Sequence, residues 1–298
     1  MVNIISFPNI GINDLHVNRI AFSLFGRNIY WYGILITAAI LISYFIVCYH
    51  AKKENVKSDD IIDLAMWVVI AGIIGARAYY VLTSLDKYSS FLDFFKIWEG
   101  GLGFYGCIIG GAAAAIVFSR VRHIPFSVIA DMIAPTLLLA QAIGRWGNFF
   151  NAEAFGSVTT WDFFGRLFDI SGSTSFPLIM TINGEYVTPT FLYEFIFNLV
   201  GFAFLMLMYD KKKFNGQIFI CYIMWYGLVR TVTEGFRTDS LYIGSIRISQ
   251  LIGLLSVIFG ALALIIMTQL RKKGKTAQPF AKKAADDGDK ITENGTDN

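Results

Sequence analysis

Ile248–Leu270 reads ISQLIGLLSVIFGALALIIMTQL, 23 residues without one charged side chain. A helix rises about 1.5 Å per residue, so this stretch is long enough to cross roughly 30 Å of hydrocarbon. Trp31–Tyr49 (19 residues) and Gly100–Ser119 (20 residues) pass the same test. Four further stretches are nearly as apolar but carry charges: Ile61–Thr83 holds Asp63 and Arg77, Ile124–Gly144 holds Asp131, Phe191–Tyr209 holds Glu194, and Gly216–Glu234 holds Arg230 and Glu234. The expectation is an all-α membrane protein of seven transmembrane helices.

Composition points the same way. Of 298 residues, 55% are hydrophobic, 16% aromatic and 16% charged, with a mean hydropathy of +0.54. Soluble domains carry about 25% charge, so an ordinary cytosolic enzyme is excluded. The formal net charge of +3 is spread thinly along the chain, which makes nucleic acid a poor partner. Cys48, Cys107 and Cys221 lie far apart in apolar stretches, and His16, His50 and His123 are scattered. They offer no ligand cluster at usable spacing, so neither a metal nor an organic cofactor is expected.

Basic residues in short loops set the orientation. Lys52, Lys53, Lys57, Arg120, Arg122, Lys211, Lys212, Lys213, Arg271, Lys272, Lys273 and Lys275 fall on one side, and eight others fall on the opposite side. This predicts the N-terminus outside and the C-terminus inside. Residues 1–28 lack the pattern of a cleaved signal peptide, so the first span is expected to start insertion. Residues 1–273 are then one membrane domain. A small extracytoplasmic head is expected at about 148–189, where Asn183-Gly184 between two apolar runs has the form of a two-residue hairpin turn. Residues 274–298 are polar, charged and poor in aromatics, which predicts a disordered cytoplasmic tail.

On this topology the unusual side chains gather at the outer ends of the spans. Tyr32, Arg77, the glycines Gly100, Gly101 and Gly103, Tyr105, Arg145, Asn148, Glu194, Arg230, Glu234 and Gln250 form one polar layer. An arginine at mid-bilayer costs about 2.5–3.5 kcal/mol on insertion scales and normally faces a partner or a wet cavity. Arginines near headgroup depth suit an anionic headgroup. The plainer reading has Arg77 and Arg145 snorkelling to the interface and Arg230 pairing with Glu234 at i,i+4. Gly106 and Gly110 form a GxxxG, which favours close helix packing, whereas backbone N–H groups at Gly100 and Gly101 offer a phosphate site.

Gly144-Arg145-Trp146-Gly147-Asn148-Phe149-Phe150-Asn151-Ala152-Glu153-Ala154-Phe155-Gly156 resembles the GRxGNFxNxExxG signature of the prolipoprotein diacylglyceryl transferase family. Trp31-Tyr32-Gly33, Gly100-Gly101-Leu102, Tyr105-Gly106, Leu192-Tyr193-Glu194, and Trp225-Tyr226-Gly227-Leu228-Val229-Arg230 with Glu234 and Arg237 extend the resemblance over about residues 28–270. It implies an enzyme of the bacterial cytoplasmic membrane, with its active site toward the outer leaflet. Such an enzyme moves the diacylglyceryl group of phosphatidylglycerol to the lipobox cysteine of a prolipoprotein signal peptide. The products are a thioether and glycerol phosphate.

By this resemblance Arg145 and Arg230 match essential arginines, and Tyr32, Asn148, Glu153, Gly156, Tyr226 and Glu234 match other functional positions. Asn151 lies within the signature; Arg77, Gly100 and Gly101 join the substrate-binding set from the polar layer. Tyr105 stands where many members have histidine. Its reference pKa of about 10 makes it a poor base, so its expected role is to donate a hydrogen bond, with Glu153 and Glu234 as the carboxylates able to take a proton through water. The competing reading is a membrane transporter or binding protein for a phosphorylated anion or lipid headgroup. That reading wants polar groups through the full membrane depth, and the cytoplasmic halves of spans one, three, five and seven are nearly pure hydrocarbon.

Overall fold

The computed structural model describes residues 2–85, 94–96, 100–157, 180–234, 242–243 and 246–274. The expected tail, the middle of the expected head and Arg237 lie outside the described residues. Seven helices follow the seven apolar stretches in order: α1 Trp31–Lys53, α2 Ser58–Thr83, α3 Phe104–Val121, α4 Phe126–Asn151, α5 Thr190–Tyr209, α6 Gln217–Thr233 and α7 Ile248–Lys272. Six are long and apolar enough to cross a membrane; α6, with 17 residues, is shorter. Their outward side chains are those a lipid phase tolerates: Leu82 is 72% exposed, Leu207 75% and Phe259 64%. In water such surfaces would associate.

Sequence chemistry explains several helix ends. Asp59 and Asp60 in the first turn of α2 complement its positive end, and His50, Lys52 and Lys53 in the last turn of α1 complement its negative end. Gly216, at φ 94°, makes the left-handed step that starts α6.

The all-α expectation needs one amendment. A five-stranded sheet, ordered β2-β1-β6-β7-β5, joins β1 Val2–Phe7 and β2 Ile12–Asn18 to β5 Gly156–Ser157, β6 Met180–Ile182 and β7 Glu185–Thr188. The expected hairpin is present: Ile182 pairs with Glu185, and Asn183 and Gly184 take φ 52° and 89°. The N-terminal strands were not foreseen. Ile5 pairs with Ile182 and Ser6 with Thr181, so a hydrogen-bond ladder between strands far apart in the chain completes the sheet. Two further hairpins are β3 Ile20–Leu24 with β4 Arg27–Tyr30, and β8 Tyr242–Ile243 with β9 Ile246–Arg247.

The described residues fall into two compact units, one from Met1–Ser43 and Ala134–Ala277, the other Tyr44–Ile133. In the first, Ile5, Phe7, Val17, Met180, Ile182 and Val187 of the sheet pack on Phe191, Trp146 and Phe149. The sheet thereby caps the ends of α4 and α5 at Asn151 and Thr190. Farther along, Ala134 and Leu138 of α4, Leu205 of α5 and Ile218 and Cys221 of α6 form a buried apolar cluster.

In the second unit α2 and α3 are pressed together through glycines. A Cβ on Gly106 would lie 2.1 Å from the Gly75 carbonyl oxygen, and one on Gly110 2.2 Å from that of Ala71. The GxxxG therefore serves close helix packing, as expected. Asp63 meets the basic loop through Arg122, which also lies 3.4 Å from Asp60.

Candidate active site

Residues 141, 145 and 148 of α4 are spaced i, i+4, i+7 and share a face. Arg145 sits at the centre of this face. Its Nε lies 2.9 Å from Glu194 Oε2, and its Nη1 donates to Asn148 Oδ1 at 3.2 Å. Asn148 Nδ2 in turn donates to Glu153 Oε1 at 3.2 Å, and Asn151 Nδ2 donates to the same oxygen at 3.0 Å. Glu153 comes within reach because the chain folds back after α4: Ala152 and Ala154 have φ 52° and 56°, and the Glu153 amide donates to the Asn148 carbonyl at 3.0 Å. Thr190 Oγ1 donates to the Ala154 carbonyl at 2.6 Å, which ties this turn to the start of α5. Gly156 follows in β5, paired with Thr188.

On α5, Glu194 is 4% exposed. Its other oxygen faces Arg230 Nη1 of α6 at 4.0 Å, and Arg230 Nη2 lies 2.9 Å from Oε2 of Glu234, one turn further on. Glu234 is 1% exposed, while the two arginine side chains retain 22–23% exposure. Two guanidiniums and two carboxylates thus alternate in a row. Buried charges persist only when paired, and the partial exposure of the arginines leaves guanidinium edge available to an anion.

The remaining site residues of this unit frame the row. Tyr32 lies over Gly147: a Cβ there would meet the tyrosine ring at 2.3 Å. Its neighbour Trp31 stacks on Phe150 with centroids 5.0 Å apart. Tyr226, one turn before Arg230, stacks on Tyr222 at 6.1 Å. Glu234's carbonyl accepts a hydrogen bond from Arg247, and Gln250 donates to the Thr231 carbonyl at 3.1 Å. Gln250 is therefore occupied with fastening α7 to α6.

Arg77, Gly100, Gly101 and Tyr105 belong to the second unit. Gly100 to Gly103 precede α3, so the expectation that these glycines open the helix is corrected. Gly100 and Gly101 have φ 91° and 75°, two left-handed residues in the loop ahead of Gly103, which caps α3. Arg77, 9% exposed, donates from Nη1 to the carbonyls of Gly100 at 2.7 Å and Gly101 at 3.0 Å, and from Nε to that of Phe94 at 2.8 Å. Its guanidinium pins the loop that leads to Tyr105. Tyr105 itself is 56% exposed, beside the Tyr79 ring at 6.0 Å.

Sequence reasoning placed Glu194 in the polar layer and gave it no role; the structure makes it the residue that faces both arginines. The Leu192-Tyr193-Glu194 match and the cost of a buried carboxylate were the signals that pointed to it.

Comparison with known proteins sharpens this picture. Residues 19–266 match the sequence profile of the family described as prolipoprotein diacylglyceryl transferase. The chain is 42% identical over 259 residues to phosphatidylglycerol–prolipoprotein diacylglyceryl transferase 1 of Clostridium perfringens, covering 86% of this chain and 97% of that protein. It is 42% identical over 262 residues to the phosphatidylglycerol–prolipoprotein diacylglyceryl transferase of Limosilactobacillus reuteri, covering 86% and 92%. To the protein of that name from Listeria welshimeri it is 40% identical over 260 residues, covering 86% and 91%.

Proposed function

Because this chain belongs to the prolipoprotein diacylglyceryl transferase family, we propose that it transfers the diacylglyceryl group of phosphatidylglycerol to the lipobox cysteine of prolipoprotein signal peptides, the first step of lipoprotein maturation. The observation that carries this reading is the pair of arginines, Arg145 and Arg230, both facing the buried carboxylate of Glu194.

The chemistry follows from the charges. The cysteine sulfur attacks the glycerol carbon that bears the phosphate. A C–S bond forms, the C–O bond to phosphate breaks, and glycerol phosphate leaves. The lipid's phosphodiester carries one negative charge; the departing monoester gains a second, with a pKa near 6. The thiol proton is therefore taken up by the leaving phosphate and passes to water, so a strong dedicated base is unnecessary. Arg145 and Arg230 stabilise the charge that builds on the phosphate, an electrostatic effect of the type that is often the largest in catalysis. The same positive field favours the thiolate over the thiol, whose free pKa is about 8.5.

Glu194 and Glu234 hold the two guanidiniums in place, Asn148 connects Arg145 to Glu153, and Asn151 donates to Glu153, the exposed carboxylate that receives protons through water. Tyr32, Gly156 and Tyr226 border the lipid headgroup. Tyr105 carries the proposed role of hydrogen-bond donor, and within its own unit Arg77 holds the loop at Gly100 and Gly101 that leads to it. The seven helices act as one catalytic domain in the bacterial cytoplasmic membrane, N-terminus out, with the arginines toward the outer leaflet and residues 274–298 as a cytoplasmic tail. The apolar cluster around Leu138, Leu205 and Ile218 gives the arginines a closed floor, which favours an enzyme over a transporter.

The test is mass analysis of a lipobox peptide incubated with the protein and phosphatidylglycerol vesicles. A diacylglyceryl mass on the cysteine, lost with Arg145→Ala, is the expected result. A folded protein that leaves the peptide unmodified would overturn the reading.

A further inference from the structure

One helical turn from Arg145 and from Glu194, and one to two turns from Arg230, toward the apolar floor, lies a second polar layer. Gln141 precedes Arg145 by four residues, Asn198 follows Glu194 by four, and Tyr222 precedes Arg230 by eight, with Tyr226 between. Residues four apart lie on one helix face, so each helix repeats its polar character at the next level down. Gln141 Nε2 donates to the Tyr222 hydroxyl at 3.1 Å, while Gln141 Oε1 is buried without a hydrogen-bond partner. Asn198 is 3% exposed, and its Oδ1 is likewise buried and unpartnered. Below this layer Ala134, Leu138 and Leu205 are fully buried.

Two unsatisfied amide oxygens at one level of a three-helix packing are costly, because a buried acceptor left without a donor forfeits its hydration. A ligand that brings hydroxyl groups to this level would satisfy both, and a hydroxyl serves an amide in either orientation since it both donates and accepts. The layer sits about one helical pitch, roughly 5 Å, from the guanidiniums. That is close to the reach of a three-carbon polyol chain attached to a phosphate held by the arginines.

We infer that Gln141 and Asn198 are specificity residues that accept hydrogen bonds from the hydroxyls of the donor lipid's terminal glycerol while its phosphate rests on Arg145 and Arg230. This rests on the transferase reading above and adds to it the means by which a glycerol headgroup is told from one without hydroxyls. The diacylglyceryl part plays no role in this recognition; the leaving group does.

The experiment compares phosphatidylglycerol with phosphatidylpropanol, which keeps the three-carbon chain and lacks both hydroxyls, as donors to a lipobox peptide. The wild-type protein is expected to prefer phosphatidylglycerol by about tenfold or more, since a site built to bond a hydroxyl discriminates strongly against its absence. Asn198→Leu and Gln141→Met are each expected to bring the ratio of the two rates toward one. Equal wild-type rates on the two lipids would overturn the inference, and that comparison stands even if a variant fails to fold. Variants that slow both donors by the same factor would also overturn it, assigning the two amides to packing alone. A wild-type protein that used neither lipid would instead overturn the transferase reading itself, and this inference with it.

Discussion

Glu194 Oε2 lies 2.9 Å from Arg145 Nε, across 49 residues of chain, in a side chain that is 6% exposed. Removing one partner of a buried ion pair costs about 3–5 kcal/mol because the other charge is left uncompensated. Glu194→Ala is therefore expected to lower the melting temperature of the purified protein and to abolish transfer, whereas Glu194→Gln, which keeps the shape, retains the fold with a slower rate. Thermal unfolding and peptide modification measured on both variants decide this. An alanine variant as stable and active as the parent would show that the pair has no such role.

Arg145 makes directional contacts through two of its nitrogens, to Glu194 and to Asn148. Lysine keeps the charge and loses the planar fork. Arg145→Lys should cut the transfer rate by about 10²–10³-fold, the range seen on losing one preorganised donor to a developing oxyanion. Rate measurements at saturating lipid distinguish this from a loss of affinity.

Two glycines of the signature differ in what surrounds them. A Cβ on Gly147 would collide with the Tyr32 ring at 2.3 Å, while one on Gly144 would touch only Ile36 at 4.0 Å. Gly147→Ala should cost about 1–3 kcal/mol as overpacking and should be relieved by Tyr32→Ala, at least in stability. Gly144→Ala should fold as the parent does. Comparable melting temperatures for the two single variants would contradict the packing seen at Tyr32.

Tyr105→Phe removes one hydroxyl from a residue that is 56% exposed. Its fold should be unaffected. Transfer should fall by the value of one hydrogen bond to a charged acceptor, about 1.5–3 kcal/mol or roughly 10–150-fold. A Phe variant with full activity would remove Tyr105 from the mechanism.

Gly106 touches the Gly75 carbonyl so closely that a Cβ would lie 2.1 Å from its oxygen. Gly106→Leu should separate α2 from α3 and lower thermal stability by more than any of the surface changes above. The same substitution at Gly100, where no atom lies within 4 Å of a Cβ, is expected to act only through its left-handed φ of 91°.

The seven helices were legible in the chain because burial in hydrocarbon is a local and additive property. Each stretch such as Ile248–Leu270 declares itself over about 20 residues, whatever its neighbours do. The turn at Asn183-Gly184 was legible for a similar reason, since φ values above zero at two successive residues select those side chains. Arg145, Asn148, Glu153 and Arg230 were legible as a family signature. Their connection by hydrogen bonds and ion pairs was not.

Pairings depend on which distant groups meet, and only the tertiary structure decides that. Strand β1 was missed because Val2–Phe7 alternates only in part, with its last three residues all buried; it becomes a strand by pairing with β6, some 175 residues away. Arg77 had the sequence credentials of an anion site, yet its donors are directed at the carbonyls of Phe94, Gly100 and Gly101. Glu194 looked like one polar residue among many until α5 set it between Arg145 and Arg230. Sequence by itself determined that this chain carries membrane-spanning helices and to which family it belongs, because hydropathy and side-chain type are written residue by residue. Which charge faces which was decided by the packing of α4, α5 and α6, because an ion pair is a property of two positions brought within about 4 Å and of neither one alone.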